Sequence, residues 1–148
     1  MLPTWRLHQV QAATLPVILA NNDVLAQAKT GTGKTLGFLV PAIQHMLAAP
    51  YPAQGKVSIF VLSPTRELAQ QIAKEASGIL AKLGANKYTV QTVVGGTNMN
   101  TDVKSLLGKR VDILVATPGR VIDLLENGPL RQNLSQLSGC RSMACKNT

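Results

Sequence analysis

The chain carries the stretch VLAQAKTGTGKT at residues 24–35, and this stretch decides the predicted fold. A short apolar segment comes first, a glycine-containing loop follows, and a helical pattern begins at Lys34 and Thr35. Glycines let backbone N–H groups converge on an anion, and the helix N-terminus adds the positive end of its dipole. In such a loop the lysine reaches the distal phosphates and the hydroxyl holds Mg²⁺. The stretch therefore predicts a nucleotide-phosphate site.

One position departs from the strict phosphate-loop pattern G-x-x-x-x-G-K-[ST]. Ala28 stands where that pattern has its first glycine, whereas Gly33, Lys34 and Thr35 keep their spacing. An ordinary turn between a strand and a helix, with Lys34 as a solvated lysine, is the alternative interpretation. The order of apolar segment, loop and helix favours the phosphate site.

Composition bounds the class of protein. The 148 residues suit one domain with a real core, and with only 3% aromatic residues that core must consist of Leu, Val, Ile and Ala. We see no apolar run near the ~18–20 residues of a membrane span and no signal or transit segment, so we expect an intracellular protein without membrane association, its compartment open. Cys140 and Cys145 lack a nearby His or second pair, which argues against a zinc site.

The charge balance points to a polyanionic partner. Fifteen Lys and Arg against seven Asp and Glu give a formal net charge of +8, which favours nucleic acid first. The basic residues are spread along the chain without a run, so only their total is informative. Nothing in the sequence indicates a stable oligomer.

Four apolar segments are predicted strands, and helical patterns separate them. The strands are residues 24–27, 57–62, 88–94 and 111–116, and the helices are residues 8–20, 34–47, 67–81, 101–107 and 121–126. Strands that alternate with helices and are apolar throughout indicate an α/β fold with a parallel sheet and helices on both faces.

The helical periodicity also predicts which side chains are buried. The first helix is expected to bury Val10, Ala13, Val17 and Ile18, with a kink at Pro16. The second is expected to bury Phe38, Leu39, Ala42, Ile43 and Met46, and the third Leu68, Ile72, Ala76 and Ile79. Thr101 and Asp102 are expected to cap the fourth helix.

Polar turns follow each predicted strand, at residues 28–33, 63–66, 95–97 and 117–120. In parallel sheets ligand sites gather at the carboxyl ends of the strands. We therefore expect these turns to form one rim, with phosphate bound at one part of it. Ordinary turn chemistry would explain most of the Gly and Pro here, but it explains less well why Arg66 and Arg120 both follow strand ends.

Several residue strings resemble the motifs of one family. AKTGTGKT at residues 28–35, PTRELAQQ at 64–71, GG at 95–96 and TPGR at 117–120 are similar to motifs I, Ia, GG and Ib of the DEAD-box RNA helicases. Val10 and Gln11 resemble the end of the Q motif. The resemblance covers roughly residues 7–130 in the family's order, and the family normally carries alanine at the position of Ala28.

The resemblance implies a fold, an activity and two cofactors. It implies a RecA-like P-loop NTPase domain over residues 1–130, beginning within the Q motif and incomplete at its C-terminal end. Residues 131–148 are expected to be a divergent, disordered tail. The implied family reaction is RNA-stimulated ATP hydrolysis and duplex unwinding, with ATP and Mg²⁺ as cofactors and single-stranded or structured RNA as the partner.

The resemblance also implies roles for individual residues. Gln11 would contact the adenine edge, and Thr35 would hold the Mg²⁺. The phosphates would lie against Ala28, Lys29, Thr30, Gly31, Thr32, Gly33, Lys34 and Thr35. The sugar-phosphate backbone of RNA would lie against Pro64, Thr65, Arg66, Gly95, Gly96, Thr117, Gly119 and Arg120.

Three departures from the family pattern limit the expected activity. His8 stands where the family has threonine, and the aromatic residue upstream of the Q-motif glutamine is missing. No Asp or Glu follows Glu126, so the chain lacks the Asp-Glu-Ala-Asp motif that would hold Mg²⁺ and orient water. The Ser-Ala-Thr element and the second RecA-like domain are also absent.

We therefore expect a helicase family member that is catalytically incomplete, with Lys34 and Thr35 able only to support the transition state and the metal. A non-catalytic module that binds nucleotide or RNA, or an inactive splice product, are the alternatives. A metabolite kinase would leave the strings at residues 64–71 and 117–120 unexplained.

Overall fold

The computed structural model describes residues 7–50, 56–108, 110–126 and 141–144. The described residues fall into two compact units, the first ending at Ala48 and the second beginning at Ala49. None of the helices in this part of the chain is long and apolar enough to cross a membrane.

The first unit consists of two packed helices, α1 (Gln9–Leu19) and α2 (Lys34–Ala48). A ring nitrogen of His45 on α2 lies 3.0 Å from the carbonyl oxygen of Ile18 at the end of α1. The predicted buried face of α2 is confirmed for Leu39, Ala42, Ile43 and Met46, while Phe38 is half-buried.

The prediction for the buried face of α1 is wrong. Gln11 and Thr14 are the buried residues of this helix, whereas Ala13 and Val17 are exposed, and Val10 and Ile18 are half-buried. The reason is chemical, because the side chains of Gln11 and Thr14 hydrogen-bond to the carbonyl oxygens of Gly33 and Gly37. Polar side chains are buried where they satisfy polar backbone groups.

The contact between Thr14 and Gly37 has a cause in the sequence of α2. Pro41 lies inside this helix and has no N–H, so it cannot donate to the carbonyl four residues back, that of Gly37. The Thr14 hydroxyl lies 3.3 Å from that oxygen and can donate to it instead. The helices come this close because residue 37 is a glycine, whose added Cβ would lie 3.2 Å from the Thr14 hydroxyl.

The predicted strand at residues 24–27 is also wrong. These residues are not in a strand, and Leu25 is fully exposed at 102% of its reference area. A strand exists through hydrogen bonds to a neighbouring strand. Among the described residues of the first unit no strand is available to pair with it, so an apolar pattern alone does not produce the element.

The second unit is built on a four-stranded parallel sheet. Its strands are β1 (Ile59–Leu62), β2 (Val90–Val93), β3 (Ile113–Ala116) and β4 (Arg141–Ala144), in the order β2-β3-β1-β4. Its helices are α3 (Arg66–Lys82), α4 (Met99–Gly108) and α5 (Pro118–Glu126). The three predicted strands of this unit and its α/β class are confirmed, with shorter strands than the apolar segments suggested.

Strand β4 corrects the prediction of a disordered tail for four of its residues. Arg141–Ala144 pairs in parallel with β1, with Ile59 opposite Arg141 and Leu62 opposite Ala144. Parallel pairing uses backbone N–H and C=O groups, so a segment without apolar periodicity can supply it. The rest of the predicted tail lies outside the described residues.

The order of the strands places helices on both faces of this sheet. The chain passes from β1 outward to β2 through α3 and returns to β3 through α4, and right-handed crossovers in opposite directions put α3 and α4 on opposite faces. Leu106 of α4 and Leu124 of α5 share one core cluster with Phe60 and Leu114. Helix α3 contacts β2 and β3 and buries Ala69, Ile72, Ala76 and Leu80.

That buried face of α3 confirms the predictions for Ile72 and Ala76 and shifts the other two positions by one residue. Leu68 and Ile79 are half-buried, and their neighbours Ala69 and Leu80 are buried instead. Helix α3 begins where Thr65 accepts a hydrogen bond from the N–H of Leu68 at 3.3 Å.

Candidate functional site

The phosphate loop of the first unit lies directly before helix α2 and contains two glycines with a left-handed backbone. Gly31 and Gly33 have φ angles of +77° and +76°, in the left-handed region that glycine adopts without strain. Helix α2 begins at Lys34 directly after the loop, and Thr35 is its second residue. The helix N-terminus and its positive dipole end therefore lie at the loop, as an anion site requires.

Two hydrogen bonds within the loop hold its shape. The Lys34 ammonium donates to the carbonyl oxygen of Ala28 at 2.6 Å, and the Thr32 hydroxyl donates to that of Lys29 at 2.8 Å. Lys34 is half-buried, whereas Lys29, Thr30 and Gly31 are exposed. The ammonium thus spans the two ends of the loop and points its charge at the loop's own backbone.

Gln11 is brought to this loop from α1. Its amide nitrogen donates to the carbonyl oxygen of Gly33 at 3.1 Å, and its amide oxygen accepts from the N–H of His8 at 3.0 Å. The amide has two N–H donors and two oxygen lone pairs, so the donated bond leaves one N–H unused and the accepted bond leaves one lone pair unused. Gln11 thus fixes the loop and keeps one donor and one acceptor, the pair that the edge of an adenine needs.

In the second unit, three of the predicted turns leave the same edge of the sheet. Leu62, Ala116 and Val93 are register partners at the ends of β1, β3 and β2, so the turns at residues 63–66, 117–120 and 95–97 emerge side by side. We call these three turns the carboxyl-end rim. The fourth turn, at residues 28–33, belongs to the first unit.

Backbone hydrogen bonds tie the rim together. The N–H of Ser63 donates to Ala116 at 2.8 Å, and the N–H of Thr117 donates to Val93 at 3.1 Å. The Thr117 hydroxyl accepts a weaker bond from the N–H of Gly95 at 3.4 Å. Pro64 and Gly119 are exposed, and Thr65 is occupied as the N-cap of α3.

Arg66 lies against the two glycines at residues 95–96. A Cβ added at Gly95 would lie 3.4 Å from an Arg66 guanidinium nitrogen, and a Cβ added at Gly96 would overlap another. Gly96 also has a φ of +86°, so its conformation and its lack of a side chain both suit this close approach. Arg66 is exposed, so its guanidinium is a cation at the surface of the rim.

Arg120 is placed differently from its prediction. It is 8% exposed, and its guanidinium lies 2.7 Å from the Asp102 carboxylate and 2.8 Å from the carbonyl oxygen of Thr97. The family resemblance implies that Arg120, like Arg66, is a ligand of the RNA backbone. The two arginines differ because a carboxylate lies beside only one of them among the described residues.

Asp102 is the residue that sequence reasoning missed. It does not cap α4, since that helix begins at Met99 and the Asn98 side chain accepts from the N–H of Asn100 at 2.9 Å. Asp102 is 6% exposed and lies one turn from the buried Leu106. An acidic residue on the apolar face of a helix was the available signal that a cation would meet it there.

A second buried carboxylate stabilises the opposite ends of the strands. Asp112 is 0% exposed, lies 2.7 Å from Arg110, and accepts from the backbone N–H of Thr89 at 2.9 Å. It therefore links the start of β3 to the start of β2. Asp102 and Asp112 are thus both held in buried ion pairs, with Arg120 and Arg110 respectively.

Curated relatives match most of this chain. A DEAD-box ATP-dependent RNA helicase 26 from Oryza sativa subsp. japonica is 49% identical over 124 residues, covering 84% of this chain and 22% of that protein. The mitochondrial ATP-dependent RNA helicase MSS116 of Phaeosphaeria nodorum is 49% identical over 117 residues, covering 79% of this chain and 21% of that protein. The chain thus spans about a fifth of the length of these relatives.

Solved structures of helicases resemble the fold. A structure of the DEAD-box helicase Mss116 bound to ssRNA and UDP-BeF has a TM-score of 0.74 at 41% identity, over 82% of this chain and 25% of that one. The RNA helicase Prp28 from Chaetomium thermophilum bound to ADP has a TM-score of 0.75 at 31% identity, over 94% of this chain and 32% of that one.

The match to a family model agrees with the motifs and the fold. A model described as DEAD/DEAH box helicase matches residues 8–141, which includes the phosphate loop, Gln11 and the whole carboxyl-end rim. The matched residues make up most of the chain, and both relatives are named ATP-dependent RNA helicases. The chain therefore belongs to the DEAD/DEAH box helicase family.

Proposed function

We propose that this chain binds ATP at the phosphate loop and the sugar-phosphate backbone of RNA at the carboxyl-end rim, without hydrolysing ATP on its own. The observation that carries the proposal is the start of α2 at Lys34, directly behind a loop with two glycines at positive φ. Backbone N–H groups, a helix dipole and a lysine converge there, and this is the chemistry that a phosphate chain needs.

The residues of the proposed nucleotide site contact different parts of the ligand. The loop residues 28–33 surround the phosphates with backbone N–H groups, and Lys34 exchanges the carbonyl of Ala28 for a distal phosphate oxygen. Gln11 uses its remaining donor and acceptor on the adenine edge. Thr35 holds Mg²⁺ together with phosphate oxygens. A nucleotide analogue or ADP in the related structures supports this assignment.

The test of the nucleotide site compares ATP with AMP. Lys34→Ala should weaken ATP binding more than AMP binding, because only the distal phosphates contact the ammonium. The matched control is Lys74→Ala, which removes an exposed lysine from the middle of α3 and should change neither affinity. Calorimetric titration measures both. Equal losses of affinity for ATP and AMP in the Lys34→Ala variant would refute the contact of Lys34 with the distal phosphates.

The proposed RNA site has one exposed cation and several backbone groups. Arg66 supplies the cation, and the backbone of Pro64, Gly95, Gly96, Thr117 and Gly119 lies at the same edge, with Thr65 and Thr117 contributing hydroxyls. Such groups contact phosphates without distinguishing bases, so binding should be sequence-tolerant. The net charge of +8 favours the same partner, and the related Mss116 structure contains ssRNA. The relatives are named ATP-dependent RNA helicases. The family resemblance implies RNA-stimulated ATP hydrolysis with duplex unwinding for the whole enzyme.

The absence of hydrolysis follows from the carboxylates. No Asp or Glu follows Glu126, Asp102 and Asp112 are buried in ion pairs, and Asp23 and Glu67 are exposed. A phosphate loop alone positions the nucleotide and leaves the attacking water without a base. The chain is therefore proposed to be a binding module within its enzyme family.

A further inference from the structure

We propose that Arg120 is a positioning residue of the carboxyl-end rim, which fixes the turn at residues 95–97 through Asp102 and Thr97 and does not itself contact the RNA backbone. The proposal rests on the RNA binding proposed above and assigns the two arginines of the rim to different tasks. Arg66 is the phosphate ligand, and Arg120 holds the surface against which Arg66 lies.

The contacts of Arg120 reach two separate parts of the chain. Its Nε and Nη2 donate to the same carboxylate oxygen of Asp102, at 2.9 and 2.7 Å. Its Nη2 also lies 2.8 Å from the carbonyl oxygen of Thr97. One guanidinium thus connects α5, on which it lies, to α4 and to the turn after β2.

Thr97 completes this network. Its hydroxyl lies 2.9 Å from both the Asp102 carboxylate and the carbonyl oxygen of Val94, and its single hydrogen goes to one of them. The side chain of Thr97 and its carbonyl are therefore both held. The backbone between Val94 and Thr97, which contains Gly95 and Gly96, is fixed at its end by Arg120 and Asp102.

The burial of Arg120 argues against a role for it as a phosphate ligand. The side chains of Arg120 and Asp102 are each only 8% exposed. If the guanidinium left for a phosphate, the buried Asp102 carboxylate would lose its ion-pair partner, and breaking a buried ion pair is strongly unfavourable. Arg66 is exposed and carries no such constraint.

The fixed turn matters because Arg66 lies on it. The Arg66 guanidinium lies close to the positions that a Cβ would take at Gly95 and Gly96. If the turn moved, the guanidinium would lose the surface that directs it. The loss of Arg120 should therefore reduce RNA binding through Arg66, without removing a phosphate contact of its own.

Two variants distinguish positioning from phosphate contact. Arg120→Gln and Asp102→Asn should both weaken binding of a short labelled oligouridine, although the second raises the net charge by one. If Arg120 were a phosphate ligand, Asp102→Asn would release its guanidinium and strengthen binding. The double variant, in which two amides can hydrogen-bond to each other, should recover part of the lost affinity.

The salt dependence supplies the second readout. Arg66→Gln should flatten the slope of log affinity against log salt by about 0.7, the value for one phosphate contact on a single strand. Arg120→Gln should leave the slope unchanged while lowering the affinity. A slope that flattens equally in both variants would overturn the proposal. A wild-type chain that does not bind oligouridine, or an Arg66→Gln variant with an unchanged slope, would overturn the proposed RNA site instead.

Amide hydrogen exchange tests the positioning role without RNA. In Arg120→Gln and in the more conservative Arg120→Lys, the amides of residues 95–98 should exchange faster by about tenfold, as expected for one lost hydrogen bond to a charged group. The amides of β1 and β3 should keep their protection, which shows that the fold is intact. Unchanged exchange at residues 95–98 in a folded variant would overturn the proposal whether or not RNA binds.

Discussion

At the scale of single residues, two glycines of the phosphate loop have the same backbone and different surroundings. Gly31 and Gly33 have nearly equal positive φ angles, but an added Cβ has open space at Gly31 and would lie 2.5 Å from the Gln11 amide nitrogen at Gly33. The first glycine is needed for its conformation alone. The second is needed also for the approach of α1.

This difference predicts unequal costs of two alanine substitutions. Gly31→Ala should lower the free energy of unfolding by roughly 1–2 kcal/mol, the cost of a left-handed alanine. Gly33→Ala should lower the free energy of unfolding more than Gly31→Ala does, because it also displaces Gln11 from the Gly33 carbonyl. It should also weaken ATP binding more than Gly31→Ala does. Urea unfolding measures the first effect and calorimetric titration the second. Equal losses of stability would show that the Gln11 contact contributes nothing.

Single residues also show where prediction from sequence stops. Gly33 and Lys34 could be placed because the loop and the helix start are local in the chain. The buried position of Arg120 could not, because an arginine suits a phosphate and a carboxylate equally well. The choice depends on Asp102, 18 residues away in the sequence and adjacent only after folding.

At the scale of elements, helix α2 depends on a donor from another helix. Pro41 leaves the Gly37 carbonyl without its usual N–H, and the Thr14 hydroxyl of α1 lies 3.3 Å from it. Thr14→Val should therefore lower the free energy of unfolding by about 1–3 kcal/mol, the cost of an unsatisfied buried acceptor. In a Pro41→Ala background the cost should be smaller, because the substituted alanine supplies the missing backbone N–H.

A double-mutant cycle measured by urea unfolding isolates this coupling. The Thr14 hydroxyl also lies 2.9 Å from the carbonyl oxygen of Val10, and its single hydrogen serves both acceptors. A larger cost of Thr14→Val with Pro41 than in the Pro41→Ala background therefore reports how much the Gly37 carbonyl depends on that hydrogen. Equal costs of Thr14→Val with and without Pro41 would refute the link.

The strands show how far apolar patterns predict elements. Residues 59–62 and 113–116 are apolar and form β1 and β3 because each finds a partner in register. Residues 24–27 are also largely apolar and form no strand. Residues 141–144 have no such pattern and pair with β1 through their backbone. Pattern indicates which segments are suited to a sheet, but pairing depends on which edges the folded chain offers.

At the scale of the whole molecule, we expect no ATP hydrolysis above background, with or without RNA. A positioned general base contributes about 10²–10⁴ in rate. The buried carboxylates Asp102 and Asp112 are held by Arg120 and Arg110, and no Asp or Glu follows Glu126 in this sequence. Nucleotide binding remains, since it depends on the loop and the start of α2.

Single-turnover hydrolysis of labelled ATP tests this expectation, with Lys34→Ala as the matched variant. Both proteins should release phosphate at the rate of buffer alone. RNA-stimulated hydrolysis that Lys34→Ala abolishes would show that another residue orients the water. Exposed Glu67, at the start of α3, would then be the first residue to replace with glutamine.

The sheet order β2-β3-β1-β4 has a consequence for the behaviour of the protein in concentrated solution. The two interior strands have the sequences IFVL and ILVA, and the outer strands have VQTV and RSMA. An unpaired strand is a template for pairing with another copy, and polar or charged residues on outer strands oppose such pairing. Among the described strands, removal of residues 141–144 would leave IFVL at the edge of the sheet. A shortened chain should then form particles that scatter light and grow with concentration, whereas the intact chain stays dispersed.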